Sequence, residues 1–200
     1  TPAEQSALRL TPQALAVWDA QASAGGLPLD WRWSEQQIEA SRLAVLGPVL
    51  SSGASPACPA QDLWVFGYGS LMWDPAIHFS ELRRAVLPGH ARRFSFEALM
   101  GRGTPERPAL MLALEPEPVA DADAAGCQGL VFRIPAALAA EESALLWRRE
   151  MIRGGYVPRL LPLRTPQGPV QALVFLANPG HASYVGVLPL AQAAATIAVA

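Results

Sequence analysis

Two short stretches of this chain carry residue types able to do chemistry. The first is Gly67-Tyr68-Gly69-Ser70-Leu71, which ends the apolar run Leu63–Phe66. Two closely spaced glycines after a strand make a tight loop whose backbone N–H groups can point at an anion or a carbonyl oxygen. The same glycines could equally do no more than turn the chain at a strand end. A dinucleotide loop would need a third glycine and a following helix, but position 72 is Met and Asp74-Pro75 breaks any helix soon after. A serine-hydrolase elbow would need Gly-x-Ser-x-Gly, which Ser70 does not satisfy. The second stretch is Trp147-Arg-Arg-Glu-Met-Ile-Arg-Gly-Gly-Tyr156. Its Glu150 falls in the last turn of a predicted helix, where the helix dipole disfavours a carboxylate and raises its pKa. Arg148, Arg149 and Arg153 pull the other way, which leaves the net direction open. A buried Glu150 could act as a general base; an exposed one would be an ordinary partner for an arginine.

Other candidates are weaker. His78, His90 and His181 are scattered and read as loop histidines, not as metal ligands or bases. Tyr184 follows a polar turn and could offer its hydroxyl to a ligand or pack as an aromatic. In the turn-rich Gly101–Pro108 loop, Arg102 or Arg107 could meet a carboxylate or simply be solvated. Arg83-Arg84 and Arg92-Arg93 read as half-exposed strand or surface positions.

Composition removes several classes. The 15 basic side chains are all arginine, which excludes Schiff-base chemistry and a Walker-type phosphate loop. A net charge of −2 and a pI near 5.9 argue against a broadly basic nucleic-acid binder. Cys58 and Cys127, the only cysteines, support neither a disulfide framework nor a zinc site, and a cytoplasmic location is expected. Thr1-Pro2-Ala3-Glu4 has neither the basic flank nor the apolar run of a signal peptide; opening on Thr1, the chain is expected to be trimmed or processed. Thr165 to Ala200 lacks Asp, Glu and Arg, but Pro166, Pro169, Asn178-Pro179, His181 and Pro189 rule out an apolar helix of about 20 residues, so no membrane insertion is expected.

The elements that must position these residues fall into two parts. Residues 1–60 read as a helical extension and linker. Thr11-Pro12 opens a first helix carrying Leu15, Trp18 and Ala22. Ser34 with Gln37 forms a capping box for a second, through Ile38, Arg42 and Val45 to a stop at Gly47-Pro48. Ser51 to Pro56 reads as a linker. Residues 61–200 read as the main domain, with strands at Leu63–Phe66, Ala85–Leu87, Arg92–Leu99, Ala109–Leu114, Gly129–Ile134, Tyr156–Leu163 and Val170–Leu176. One clear helix runs from Pro135 to about Arg153, with Leu138, Leu145 and Ile152 on one face and Gly154-Gly155 as its stop. A short helix from Leu190 closes the chain. Many strands with one inserted helix argue for an α+β fold with a curled, barrel-like sheet.

In combination these pieces resemble the ChaC family of γ-glutamylcyclotransferases. The resemblance rests on Val65-Phe-Gly-Tyr-Gly-Ser-Leu-Met-Trp-Asp-Pro75, Arg92-Arg-Phe94, Arg102-Gly-Thr-Pro-Glu-Arg-Pro108, Trp147-Arg-Arg-Glu-Met151 with Gly154-Gly-Tyr156, and Asn178-Pro179 through Tyr184-Val-Gly186. It implies a γ-glutamylcyclotransferase-like mixed β-barrel with flanking helices. It also implies an enzyme that cleaves glutathione to 5-oxoproline (pyroglutamate) and cysteinylglycine with no cofactor and no metal. By motif match, Glu150 falls on the family's catalytic glutamate, Tyr68, Gly69, Ser70 and Leu71 on the loop that holds the γ-glutamyl group, and Tyr184 on a substrate-side tyrosine. The alternatives are a cyclotransferase for another γ-glutamyl compound, or a non-catalytic regulator of cation transport. Two departures from the pattern stand out: Ala109 where many relatives have Gly, and an end at Ala200 before the segment with which relatives usually continue.

Overall fold

A computed structural model describes residues 2–26, 28, 30–52, 60–98, 103–104, 107–117 and 126–199. Cys58, Arg102 and all of the expected linker beyond Ser52 lie outside the described residues. The order is α1 (Pro12–Ala24), α2 (Glu35–Leu50), β1 (Leu63–Gly67), α3 (Ser70–Trp73), β2 (Glu81–Pro88), β3 (His90–Ala98), β4 (Ala109–Pro116), β5 (Gly126–Ile134), α4 (Ala136–Glu150), β6 (Tyr156–Leu163), β7 (Val170–Ala177) and α5 (Leu190–Val199).

Five strands form a mixed sheet in the order β2-β5-β1-β7-β6, and β3 and β4 form a separate antiparallel ribbon. β1 is central: it runs antiparallel to β5, with Gly67 opposite Leu130, and parallel to β7, with Val65 opposite Leu173. A strand covered on both faces reads as a continuous apolar run, and Val65 and Phe66 are fully buried. The sheet curls until its two edges touch at one pair, where the Val86 amide donates to Arg164 O at 2.9 Å and the Arg164 amide returns to Val86 O at 3.0 Å. The curled α+β fold is therefore present, but the expected barrel is not closed along its length: beyond that pair no ladder joins β2 to β6 among the described residues. β2 begins four residues earlier than expected, since its charged residues find partners on an edge strand: Arg83 bonds Glu81 at 2.6 Å and stacks on the Trp64 ring at 4.5 Å.

The helices start where the sequence places them. Thr11 caps α1, and Ser34 and Gln37 close the capping box of α2 in both directions. α2, however, runs through Pro48 to Leu50 instead of stopping at Gly47. Near a helix end a proline forfeits one N–H bond, and here Ser51 restores the cap by donating its amide and hydroxyl to Gly47 O. α4 starts on the Asp62 carboxylate, which accepts from the Ala136 amide at 2.8 Å. α2 lies against α4: Trp147 Nε1 donates to Ser41 Oγ, and Ile38 and Leu46 join Leu63, Trp147, Met151 and Phe175 in the main core. Cys127 is a free, buried thiol in the second core cluster, and burial pushes its pKa up. No helix among the described residues is long and apolar enough to cross a membrane.

Candidate active site

The sheet sets Gly67 at the C-terminal end of its central strand, and the chain must leave that end in very little space. A Cβ at Gly67 would meet Leu71 Cβ and Phe132 Cε2, each at 3.1 Å, so this glycine serves packing. Gly69 differs, since a Cβ there would meet no atom within 4 Å. Gly69 caps α3, a single turn that fits between the loop and Asp74-Pro75 where no helix was expected. The first-turn amides of Ser70 and Leu71 have no partner within that turn.

Glu150 is the last residue of α4, which delivers it to the same place. Beyond it the chain turns through Gly154, whose φ of +71° and whose contact with Trp33, 2.2 Å from a built Cβ, exclude a side chain. One cavity of about 460 Å³ is lined by Tyr68, Gly69, Ser70, Leu71 and Glu150 together, with Asp74 beside them. That volume lies within the range of small-molecule sites, roughly 300–1,000 Å³. Phe94, Met111 and Leu112 of the β3–β4 ribbon and Tyr156 and Phe175 of the main sheet supply apolar walls.

Arg149 ties the two halves of the site together. Its Nη2 donates to Ser70 Oγ at 3.0 Å and its Nη1 to Asp74 O at 2.6 Å, while Nε lies 3.0 Å from Glu150 Oε1. Burial raises the pKa of Glu150, and the neighbouring Arg149 charge opposes that rise without cancelling it. On the far side of the loop, Arg92 Nη1 donates to Tyr68 O at 3.1 Å. The Tyr68 hydroxyl is committed to Phe175 O at 2.9 Å, and burial drives its pKa well above the usual range. Tyr68 therefore lines the cavity with its hydroxyl already bonded to the main chain of β7.

Tyr184 is not among the residues lining this cavity. It packs edge-on against Phe96 at 5.5 Å, its backbone bridging to β3 at that residue, and its hydroxyl donates to the buried Glu115 at 3.4 Å. Burial, followed by the Glu115 charge, raises its pKa. Two contributors escaped the reading of the sequence. Arg149 stood beside Glu150 as a mere counter-charge, and nothing local reveals that it reaches Ser70 and Asp74. Leu8, from the N-terminal segment, also lines the cavity. Only a three-dimensional arrangement brings residue 8 there. Among the described residues no group of three or more His, Cys, Asp or Glu side chains is gathered around a possible metal position.

Comparison with known proteins gives concordant results. A family model described as "ChaC-like protein" matches residues 63–200. The chain is similar to the glutathione-specific gamma-glutamylcyclotransferase of Escherichia coli (strain K12), 36% identical over 169 residues, covering 83% of this chain and 66% of that protein. It is also similar to glutathione-specific gamma-glutamylcyclotransferase 1 of Danio rerio, 35% identical over 141 residues and 69% of each chain. The chain thus spans about two thirds of the length of these curated relatives. Among solved structures, a glutathione-specific gamma-glutamylcyclotransferase from yeast superposes with a TM-score of 0.62 at 24% identity, covering 70% of this chain and 79% of that one, which is a likeness of fold.

Proposed function

The chain belongs to the ChaC-like family, and from that premise we propose that it cleaves glutathione to 5-oxoproline and cysteinylglycine. The observation that carries the reading is the shared cavity: Glu150 and the Gly69–Leu71 loop line one hollow of about 460 Å³.

The substrate supplies both reacting groups, an α-amine and the γ-carbonyl it attacks, so the chemistry calls for no cofactor. What remains is to fold the chain back on itself, move protons and steady an oxyanion. Enforced proximity contributes up to about 7–11 kcal/mol in well-oriented intramolecular reactions. At neutral pH the amine is largely an ammonium and cannot attack. Glu150 is the general base that takes its proton, and the raised pKa moves this carboxyl toward the operating range of such a base. The freed amine nitrogen bonds to the γ-carbon, and the carbon–nitrogen bond to cysteine breaks. Two protons leave the original ammonium and two arrive on the cysteinyl nitrogen, the first through Glu150, so that cysteinylglycine departs as an ammonium and Glu150 returns to its charged form.

The amides of Ser70 and Leu71 donate to the glutamyl end of the substrate, as first-turn N–H groups do toward negative charge. Tyr68 lines the same hollow. Arg149 holds the loop and Glu150 in register. Tyr184 supports β3 through Phe96 and acts on the site indirectly. We also infer a cytoplasmic setting, in keeping with two cysteines in the chain and a free thiol at Cys127.

The test is chromatographic: 5-oxoproline and cysteinylglycine should appear in equal amounts from glutathione, and Glu150→Gln should abolish both. Turnover of γ-glutamyl dipeptides in preference to glutathione would move the assignment to another γ-glutamyl substrate.

A further inference from the structure

Leu8 enters the cavity wall from a segment that lies outside residues 63–200, the part matched by the family model. This strap, residues 4–10, is fastened on both sides of Leu8. Before it, Ser6 Oγ donates to Asp74 Oδ2 at 2.8 Å and accepts from the Leu8 amide at 3.0 Å. After it, Arg9 grips both oxygens of the buried Glu142 at 2.7 and 2.9 Å and donates to Ala76 O at 3.0 Å. Leu10 then sinks into the core at 2% exposure. Glu4 also bonds His78, whose other ring nitrogen meets Glu142. A side chain held so firmly between anchors is a fixed wall of the site.

The remaining question is which part of the substrate it meets. The loop and Glu150 engage the glutamyl end, and Leu8, an apolar side chain on the same cavity wall, offers that end neither charge nor hydrogen bond, which leaves it the other half of the substrate. We propose that Leu8 is a specificity-determining residue that packs against the cysteinylglycine half of glutathione. This inference rests on the cyclotransferase reading above. Ser6 and Arg9 are positioning residues that act through Leu8.

The experiment compares Leu8→Ala, Leu8→Glu and Ser6→Ala with the wild type in the full chain, with the exposed Ala7→Glu as a control. Leu8→Ala should raise KM for glutathione about tenfold with kcat held within about twofold, the scale of a few lost methylenes in an apolar contact. Leu8→Glu should raise it further, and Ser6→Ala should move it in the same direction. The inhibition constant of γ-glutamylalanine, which lacks most of that half, should change much less, and Ala7→Glu should change neither. A KM that stays within twofold in both Leu8 variants, or an equal change for glutathione and γ-glutamylalanine, overturns the inference. Should the wild type release no 5-oxoproline, the cyclotransferase reading fails separately, and glutathione binding followed by tryptophan fluorescence decides on Leu8. Binding weakened by Leu8→Glu then upholds the contact, whereas equal binding, or none even by the wild type, overturns it.

Discussion

Arg149 and Glu150 are adjacent in sequence and 3.0 Å apart at Nε and Oε1, yet the guanidinium also reaches out of the helix to Ser70 Oγ and Asp74 O. One side chain thus holds Glu150 and the Ser70–Asp74 turn in a common frame. The consequence for Glu150 is electrostatic: burial pushes its pKa up and Arg149 restrains the rise.

Replacing Glu150 separates chemistry from stability. Glu150→Gln should lower kcat/KM for glutathione by at least about 100-fold, the lower range for a lost general base. A carboxyl whose folded pKa is raised binds protons more readily in the folded state, so its ionisation lowers stability as pH climbs through that window. The glutamine variant should therefore melt no lower than the wild type at pH 7. Activity assays and thermal melts on the same preparations check both halves.

Arg149→Met should lower kcat/KM about 10–100-fold, and its signature is in the pH profile. Without the guanidinium the Glu150 pKa rises further, so the acid limb of kcat/KM moves to higher pH. Arg149→Lys keeps the charge but loses the three-way fork, and should preserve the limb better than the rate. An acid limb that stays in place in Arg149→Met would remove Arg149 from this role.

The two glycines of the loop should behave oppositely. Gly67→Ala forces a Cβ against Leu71 and Phe132 at 3.1 Å and should cost about 1–3 kcal/mol of stability, as overpacking typically does. At Gly69 a Cβ meets no protein atom within 4 Å, so Gly69→Val should leave the melting temperature nearly unchanged while raising KM for glutathione at least about tenfold. Denaturant titrations alongside steady-state kinetics distinguish the two.

His78 gives the strap a pH dependence. Its hydrogen bonds to Glu4 and then Glu142 raise its folded pKa above 6.5. A histidine with a raised folded pKa contributes stability that is fully present below its unfolded value and is lost as pH rises through the folded one. Wild type should therefore exceed His78→Leu in stability at pH 6, with the gap shrinking by pH 9. Because the imidazole is well exposed, the effect is small, and urea midpoints at several pH values suffice to read it.

Much of this was legible in the sequence because the signals were local. Thr11-Pro12 and the Ser34–Gln37 box each depend on neighbours within a few residues, and each helix begins where those residues place it. α2 outran its expected stop because the loss at Pro48 falls in the last turn, where Ser51 repairs the end. α3 was invisible because a single turn fits into four residues ahead of Asp74-Pro75. At the site, Glu150 and Gly69 were named by motif and share the cavity, whereas Tyr184 was named by motif and is not among its lining residues. Leu8 and the reach of Arg149 could not be read at all, since their partners are distant in sequence and no spacing rule spans such intervals.

The burial of Cys127 bears on how such an enzyme would endure its own substrate. Glutathione and its disulfide exchange with accessible thiolates, and the rate follows the thiolate fraction and access. At 4% exposure and with its pKa raised by burial, Cys127 offers neither. Turnover in a glutathione pool drifting toward the oxidised form would thus proceed without mixed-disulfide capture at this position, and the central sheet would not serve as a redox brake.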